Sequence, residues 1–371
     1  MRNISEYVSL GHPDKIADYI SQYLLDKFVA EDPSVRYAVE VQIKDRHVTL
    51  GGEVSSRVSF APVLLEQYVR EAVNDIGYTR EYQQRWGAEN TICGDELEVE
   101  CLLSQQSPDI AQGTASGAGW GDQGIYWGYA TPLREFGDMP LDHSLAKHLC
   151  KELFESGLGG LDIKTQVTVE DGTVTKVIVA IPLLVKGYKK SLRAVRRFVR
   201  QRMQRWGGRY ELIVNGTGAY VRHSSLADCG TTGRKLVVDF YGGNARIGGG
   251  SPWTKDCSKA DLSLNLVARF LARQWAEALD VPCTALIASC IGQRDVEVSV
   301  RDSADNVLYE QTVHDLTPDA VRRTFQLDLP IYASMCRWGL FGEYQRDKAW
   351  EAAIPEETLR LLRGVNFGNI E

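Results

Sequence analysis

The chain has 371 residues and a formal net charge of −7, and 44% of its residues are hydrophobic. This length exceeds what one small core supports, so we expect two or three domains. The negative charge gives no support to a protein that binds nucleic acid over a broad surface. The eight cysteines form no CxxC pair and no zinc-like spacing with histidine, which predicts reduced thiols in a cytoplasmic protein. The sequence shows no apolar segment typical of a signal peptide or a membrane span.

The first predicted helix begins in the motif GHPDK at residues 11–15. Pro13 suits the first turn of a helix, and apolar residues then recur at every fourth position. They are Ile16, Ile20, Leu24 and Phe28. His12, Asp14 and Lys15 therefore lie at a helix N-terminus, whose free N–H groups favour an anion. Taken alone, the motif is better explained without a ligand, by a histidine cap and an aspartate that interacts with the helix dipole.

Two strands are predicted after this helix. Apolar residues alternate over 35–43, which predicts a strand with Glu40 on its polar face. The second strand covers 47–54 and contains a glycine pair, which predicts a bulge or a ligand that approaches the backbone closely. Glu53 follows this pair and is either a site carboxylate or an exposed strand residue. A helix over 61–76 and a strand over 96–103 complete this third of the chain.

A loop without hydrophobic period is predicted at residues 105–117. The next segment, residues 119–124, matches the pattern GxGxxG by letter. A dinucleotide-binding motif requires a strand before it and a helix after it, whereas here a loop precedes it and strand-like residues follow. We therefore reject a Rossmann site, and since no GxxxxGK[ST] element is present, the chain is not a P-loop protein either.

The middle third repeats the order of elements. Strands are predicted at 125–130, 164–170, 173–181 and 210–214, and helices at 141–154 and 189–205. The second helix carries a row of lysines and arginines, which would suit a nucleic acid. Apolar residues between them, such as Leu192 and Val195, form a second face. A solvated amphipathic helix is therefore the better interpretation.

The last third shows the order again. Strands are predicted at 235–240, 283–291 and 296–301, and helices at 259–279 and 318–325. Ser258 is predicted to cap the first of these helices and Thr317 the second. Three copies of one order predict three similar α+β units, each with helices on one face of its sheet. The other face must be covered by a sister unit or by a partner subunit.

The stretch 228–261 carries the strongest functional signal. Glycine clusters flank Arg234 and Lys235, and Asp228 and Asp261 stand at the two ends. Glycines let backbone N–H groups approach a ligand, the cations bind phosphate oxygens, and aspartate can hold the Mg²⁺ that neutralises a polyphosphate. The stretch therefore predicts a site for a highly charged anion with Mg²⁺. The alternative is a solvated, loop-rich surface.

The order and number of the sequence motifs make the chain resemble S-adenosylmethionine synthetase (methionine adenosyltransferase) over nearly its whole length. The chain is similar to a divergent bacterial-type member of this family. The matching blocks lie at residues 11–18, 50–54, 106–110, 121–124, 128–131, 162–167, 228–235, 239–243, 248–250 and 255–261. The resemblance implies an α+β fold of three similar, interwoven strand–helix–strand–strand–helix–strand domains with pseudo-threefold symmetry. It implies an N-terminal domain at 1–105, an active-site lid loop at 106–124, a central domain at 125–222 and a C-terminal domain at 223–371.

The resemblance also implies a homodimer, which can pair into a tetramer, with active sites shared between subunits. The implied reaction joins ATP and L-methionine into S-adenosylmethionine, and the tripolyphosphate is then cleaved to pyrophosphate and phosphate. Two Mg²⁺ ions per site and K⁺ are the implied cofactors. By the same resemblance, Asp14 and Asp261 bind Mg²⁺ and Glu40 lies near the K⁺ site.

The remaining site residues implied by the resemblance form three overlapping groups. The catalytic group around the polyphosphate comprises His12, Lys164, Arg234, Lys235, Lys255 and Lys259. The residues that bind ATP are His12, Asp162, Lys164, Tyr220, Asp228, Arg234, Lys235, Ser251 and Lys255. Those that bind methionine are Glu53, Gln106, Asp122, Asp228, Lys259 and Ile291. A thioether sulfur carries no proton, so its attack needs alignment and a stabilised leaving group rather than a general base.

Several positions depart from the family pattern. Leu10 replaces a usual glutamate, Ala219 replaces an arginine that contacts ATP, residues 252–254 differ, and Trp120 interrupts a shortened lid. Loss of one arginine–phosphate contact would weaken nucleotide binding by about 1.5–3 kcal/mol, unless Arg222 takes its place. These departures leave two alternatives open: the same fold with an altered sulfur or nucleotide substrate, and a weakly active nucleotide-binding paralogue subunit.

Overall fold

Helices and strands follow each other in mixed order, and the computed structural model describes residues 2–104 and 119–363. The first third contains β1 (Arg2–Val8), α1 (Pro13–Glu31), β2 (Arg36–Lys44), β3 (His47–Ser55), α2 (Pro62–Ile76), α3 (Arg80–Trp86) and β4 (Glu98–Ser104). The loop predicted at 105–117, Gln106 and all but the last six residues of the lid segment lie outside the described residues. Within the described parts, no helix is both long enough and apolar enough to cross a bilayer.

The rest of the chain confirms the α+β fold class. The middle third contains β5 (Gly124–Ala130), α4 (Leu141–Ser156), β6 (Lys164–Glu170), β7 (Thr173–Ala180), α5 (Tyr188–Met203) and β8 (Glu211–Val214). The last third contains β9 (Gly230–Thr231), α6 (Leu236–Asp239), α7 (Ala260–Leu279), β10 (Cys283–Ser289), β11 (Val296–Asp302), β12 (Val307–Val313), α8 (Pro318–Phe325), α9 (Tyr332–Cys336) and α10 (Glu356–Arg363).

The strands form three four-stranded sheets, and each sheet takes one strand from another third of the chain. The orders are β4-β3-β2-β9, β1-β6-β7-β8 and β12-β11-β10-β5. The incoming strand is antiparallel in every case, with Ile43 opposite Gly230, Val8 opposite Lys164 and Ala285 opposite Gly128. The β3–β4 and β7–β8 pairs are parallel, whereas the β11–β12 pair is antiparallel. The third sheet therefore differs from the other two at its far edge.

One long helix packs on each sheet. The α1 helix lies against β2, α4 against β1 and β6, and α7 against β5 and β10. The opposite faces keep apolar side chains in solvent, including Leu102 on β4, which is 60% exposed, and Ile125 on β5, which is 53% exposed. Helices on one face of each sheet were predicted, and the half-exposed faces fit the expectation that a further surface covers them.

Two local predictions for the last third were wrong, and one strand was missed. Residues 236–239 form the short helix α6 rather than a strand, because the carboxylate of Asp239 turns inward to meet a buried lysine. Helix α7 begins after Lys259, so Ser258 is not its cap, and the N–H of Ser258 donates instead to Asp256 at 2.8 Å. The strand β12 was not predicted, because its polar and apolar residues alternate only weakly.

The glycine pair in β3 forms no bulge. The β2–β3 register continues through Gly51 and Gly52 without a shift. At Gly52, which has φ +145°, an added Cβ would lie 2.1 Å from the carbonyl oxygen of Ala38. The glycine is thus needed because the neighbouring strand approaches closely, and the predicted bulge was wrong.

Candidate active site

The N-terminus of α1 carries a neutral histidine. His12 is the N-cap, and its buried imidazole accepts the N–H of Asp14 through Nδ1 at 3.2 Å. Burial, and secondarily the charges of Lys164 and Lys235, lower the pKa of His12 to about 2. A neutral imidazole that accepts through Nδ1 carries its proton on Nε2. His12 can therefore donate one hydrogen bond to a ligand oxygen without carrying charge.

Asp14 connects this helix terminus to the phosphate-binding stretch predicted from the sequence. Its buried carboxylate lies 2.5 Å from Nζ of Lys235 and 3.5 Å from Nε of Arg234. The N–H of Thr231 also donates to it, at 3.0 Å. The approach depends on Gly230, where an added Cβ would lie 2.1 Å from the carbonyl oxygen of Pro13. This glycine lets β9 pack directly on the first turn of α1.

A buried ionic network supports the loop from beneath. Nζ of Lys15 lies 2.6 Å from Asp239 and 3.2 Å from Asp18. Asp18 also accepts the N–H of Gly233 at 2.9 Å, and the indole of Trp253 donates to Asp239 at 2.8 Å. Burial raises the pKa of the Asp18 carboxyl. The network fixes the backbone at Gly233, directly before Arg234 and Lys235.

Sequence reasoning did not assign any role to this network. The only available signal was the spacing of Lys15 and Asp18, which places two opposite charges three residues apart on one helix face. Asp239 lies in an apolar run, and Trp253 lies in a segment that departs from the family pattern. Neither position could be connected to α1 before the fold was known.

A second charged cluster lies at the N-terminus of α7. Asp261 forms an ion pair with Lys255 and accepts the N–H of Gly250 at 2.7 Å. An added Cβ at Gly250 would lie 3.0 Å from Asp261 and 3.1 Å from Nζ of Lys255, so the glycine keeps this cradle open. Nζ of Lys259 is buried without a hydrogen-bond partner among the described residues, and its nearest carboxylate is that of Asp256 at 3.9 Å.

A buried carboxyl, that of Asp162, lies two residues before β6. Asp162 accepts the N–H of Ser224 at 3.2 Å, and burial raises its pKa to about 6. Burial and the neighbouring Asp162 raise the pKa of the Tyr220 phenol. Lys164 begins β6, is exposed, and is placed beside the start of GHPDK because Val8 pairs with it.

The other predicted residues are more exposed. The carboxylates of Asp228 and Asp122 each accept the N–H of the following residue at 2.8 Å. Glu40 accepts a hydrogen bond from the hydroxyl of Thr232, Ser251 caps the turn at 252–254, and Glu53 pairs in β3 with Ser104. Ile291 is exposed in the loop after β10.

The residues predicted to bind Mg²⁺ and to form the catalytic group around the polyphosphate thus fall into two charged clusters. His12, Asp14, Arg234 and Lys235 form the first, with Lys164 acting on it through charge. Lys255, Lys259 and Asp261 belong to the second. Ser251 lies between them, since an added Cβ at Gly233 would be 3.0 Å from its side chain. In residues 2–104 and 119–363, no hydrogen bond or ion pair joins Asp14 to Asp261.

These clusters fit a metal–polyphosphate complex better than a metal held by protein alone. Among the described residues, no group of three or more histidine, cysteine, aspartate or glutamate side chains could hold an ion. Mg²⁺ is commonly held by one or two carboxylates together with substrate phosphates. Asp14 and Asp261 each supply one such carboxylate, and each already lies against a cation that could bind the phosphate.

The positions that depart from the family pattern have clear places in the fold. Leu10 and Trp120 are buried, and the Trp120 indole donates to the carbonyl of Leu316 at 2.8 Å. Ala219 is exposed, and Arg222 lies 3.9 Å from the carboxylate of Asp45. The first two are therefore core residues, whereas Ala219 and Arg222 lie at the surface.

Comparisons with known proteins agree with this geometry. Residues 2–108 match the family model of the S-adenosylmethionine synthetase N-terminal domain, and residues 223–352 match that of the C-terminal domain. The chain is 35% identical to S-adenosylmethionine synthase 2 of Rhodospirillum rubrum, over 91% of each protein. It is 35% identical to S-adenosylmethionine synthase 1 of Frankia casuarinae, over 97% of this chain and 98% of that protein.

A solved structure supports the same conclusion. It is described as an unusual S-adenosylmethionine synthetase from Campylobacter jejuni, and it aligns with a TM-score of 0.85 at 30% identity, over 98% of this chain and 99% of that one. This similarity confirms the predicted fold. The chain belongs to the S-adenosylmethionine synthetase family and is a transferase of the methionine adenosyltransferase type.

Proposed function

We propose that the protein forms S-adenosylmethionine from ATP and L-methionine and then cleaves the tripolyphosphate to pyrophosphate and phosphate. The observation that carries this proposal is the buried Asp14, held against Arg234 and Lys235 beside a neutral His12. A carboxylate, two cations and an uncharged donor at one helix terminus suit a metal-bound polyphosphate that departs from a neutral ribose carbon.

The bond-forming step needs no proton transfer at sulfur. The methionine sulfur attacks ribose C5′, and the C5′–O bond to the triphosphate breaks with its electron pair on oxygen. In our proposal Nε2–H of His12 donates to this oxygen, and Lys164, Arg234 and Lys235 stabilise the departing charge. Because His12 is neutral, it forms no strong ionic contact with the bound triphosphate before the reaction. Its hydrogen bond strengthens mainly as negative charge develops on the departing oxygen.

Asp14 and Asp261 would hold the two Mg²⁺ ions, which neutralise phosphate charge when bound. In the structure both carboxylates are paired with lysines, Lys235 and Lys255. When the triphosphate binds, its oxygens would accept hydrogen bonds from these two ammonium groups in place of the carboxylates. The carboxylate oxygens would then be free to bind Mg²⁺. Glu40 would lie at the K⁺ site, where it already orients Thr232 next to β9.

The remaining roles follow from charge and position. The carboxylate of Asp228 would meet the methionine ammonium, with Glu53, Gln106, Asp122, Lys259 and Ile291 completing the methionine site. Asp162, Tyr220 and Ser251 would line the nucleoside. The buried Nζ of Lys259 has no hydrogen bond within the described residues and only a long ion pair with Asp256 at 3.9 Å, so a further anionic group close to it would stabilise the ammonium. Lys255 and Lys259 would also bind the triphosphate during its cleavage.

A homodimer with shared active sites is part of the proposal. Within the described residues, no hydrogen bond or ion pair joins the cluster of Asp14 to that of Asp261, whereas one triphosphate needs both carboxylates. The exposed apolar side chains of Leu102 and Ile125 lie on uncovered sheet faces, as expected of a subunit interface. Two dimers could pair into a tetramer. Eight cysteines without a disulfide support a cytoplasmic location.

A second candidate function keeps the fold but changes a substrate. The exposed Ala219 and the contact of Arg222 with Asp45 leave the adenine side without an obvious phosphate-binding arginine. A different nucleotide or thioether would then be the true substrate. A weakly active subunit that only binds nucleotide is the third candidate.

One assay separates the three candidates. Purified protein with Mg²⁺ and K⁺ is given ATP and methionine, and sulfonium product is followed by mass together with phosphate release. Product from the unmodified protein that is lost in Lys164→Ala and Asp14→Asn supports our proposal. Phosphate release from added tripolyphosphate without sulfonium product would support an altered substrate. Absence of both activities would contradict the proposal and leave the binding subunit.

A further inference from the structure

A cationic groove on the middle third lies outside the site described above. Four arginines of α5 line it, Arg193, Arg196, Arg197 and Arg200, and Arg209 joins them from the segment before β8. The groove has a volume of about 900 Å³. Five guanidinium groups therefore surround one cavity in a chain whose net charge is −7.

The geometry of the groove is fixed by packing on both sides. The four α5 arginines are spaced at i, i+3, i+4 and i+7, so they share one helix face. The opposite face packs into the core of the middle sheet through Val195, Val199 and Met203. Beyond the helix, the N–H of Trp206 donates to Met203 at 3.0 Å, and its carbonyl accepts from Val174 of β7 at 2.8 Å.

The positive charge of the groove is not balanced within the chain. Among the described residues, no carboxylate forms an ion pair with any of the five arginines, and α5 contains no acidic residue. The nearby acids are bound elsewhere: Glu152 to Arg202 at 3.2 Å, Glu135 to Arg205 at 2.6 Å and Glu211 to Lys176 at 2.9 Å. Like charges at i, i+3 and i+4 destabilise a helix by about 0.2–0.5 kcal/mol per pair, so an anion bound in the groove would relieve this repulsion.

We propose that this groove binds a short linear oligophosphate. Guanidinium groups bind phosphate oxygens in a planar, bidentate manner, and Gln201 and Gln204 add neutral donors at the same wall. The seven-residue step from Arg193 to Arg200 spans about 10 Å of helix. This length suits a chain of a few phosphates, whereas one turn of duplex DNA covers about 34 Å. A longer polyanion would extend over the acidic remainder of the surface.

The test uses a background in which phosphate binding at the candidate active site is weakened, because the two cations beside Asp14 are removed. Full-length protein carrying Arg234→Ala and Lys235→Ala is titrated with tripolyphosphate, ATP, AMP and a single-stranded 20-nucleotide DNA in a calorimeter. The groove variant adds Arg196→Ser, Arg197→Ser and Arg200→Ser to this background. The matched control adds Arg202→Ser and Arg205→Ser, which lie on or just after the same helix but already have carboxylate partners.

We expect tripolyphosphate to bind in the background. The affinity of this binding should be at least tenfold lower in the groove variant and should change less than twofold in the control. Similar binding of ATP would identify the phosphate chain as the recognised group, and a preference for ATP would point to a nucleoside-bearing source. An equal or higher melting temperature of the groove variant without ligand would show that the loss is not unfolding. No binding in the background, unchanged binding in the groove variant, or binding of DNA alone would overturn the proposal.

Discussion

His12, His143 and His223 show how burial determines the chemical state of single side chains. Burial lowers their pKa values to about 2, 3 and 4 respectively. All three are therefore neutral throughout the range in which an unfolded histidine titrates. In our proposal this neutrality matters at His12, because a charged imidazole beside Lys235 and Arg234 would compete with Mg²⁺ at Asp14.

His223 provides a direct test of this effect on stability. Below pH 6.5 the unfolded chain binds a proton at this residue, but the folded chain binds it only near pH 4, so stability falls as the pH falls. Between pH 7 and pH 4 we expect His223 to account for a loss of about 2–3 kcal/mol in the free energy of unfolding. His223→Gln should remove this part of the pH dependence.

Urea unfolding of the native protein and of His223→Gln at several pH values measures this pH dependence of the free energy of unfolding. The difference in stability between the native protein and the variant should shrink steadily as the medium is acidified. His314→Gln is the control, since His314 is exposed and Asp295 raises its pKa. A constant difference between the native protein and the buried variant across this range would contradict the expectation.

Lys259 should separate function from stability. Its buried Nζ has no hydrogen-bond partner within the described residues and only a long ion pair with Asp256 at 3.9 Å, so Lys259→Met removes a poorly compensated buried charge. We expect an unchanged or higher melting temperature, together with a fall in kcat/KM of about 10²-fold as a charged contact to the transition state is lost. Lys151→Met, which breaks an exposed pair with Glu155, is the control for the charge change. A lower melting temperature with normal kinetics would refute this role.

At the scale of elements, the close contact of β2 and β3 depends on a single glycine. Gly52→Ala would place a Cβ 2.1 Å from the carbonyl oxygen of Ala38 at a φ of +145°. We expect a loss of about 2–4 kcal/mol from overpacking and backbone strain. Gly51→Ala is a matched control one residue away, because an added Cβ there meets nothing within 4 Å. Equal unfolding free energies for the two variants would contradict the interpretation.

The elements also show what sequence reasoning could and could not reach. The helix at GHPDK and the charged stretch 228–261 follow from local chemistry, because spacing and capping act over a few residues. The strand predicted at 235–240 failed, since a tertiary bond from Asp239 to Lys15 overrides the β preference of its apolar neighbours. The pairing of Asp14 with Lys235 and the support by Trp253 depend on contacts far apart in the chain, which one sequence does not encode in any local pattern.

At the scale of the whole molecule, we propose the sheet faces with exposed apolar side chains as the interface between subunits. If they form the proposed dimer interface, Leu102→Lys and Ile125→Lys together should place two desolvated charges in it. We expect dissociation to monomers in sedimentation experiments and a parallel loss of S-adenosylmethionine synthesis. Val63→Lys, at an exposed position on α2, is the control and should change neither. A monomeric native protein, or a double variant that stays dimeric, would remove the argument for shared sites.

The strand exchanged between thirds has a further consequence during synthesis on the ribosome. The strand β9, at residues 230–231, pairs with the edge of β2. This edge therefore stays unpaired until residues 230–231 have emerged from the ribosome. At 5–20 residues per second, this delay lasts roughly 10–40 s. Throughout this interval an unpaired edge beside an apolar sheet face is open to other nascent chains. Protection by chaperones should therefore matter most before residue 231 is released, and least once the last third has closed the sheet.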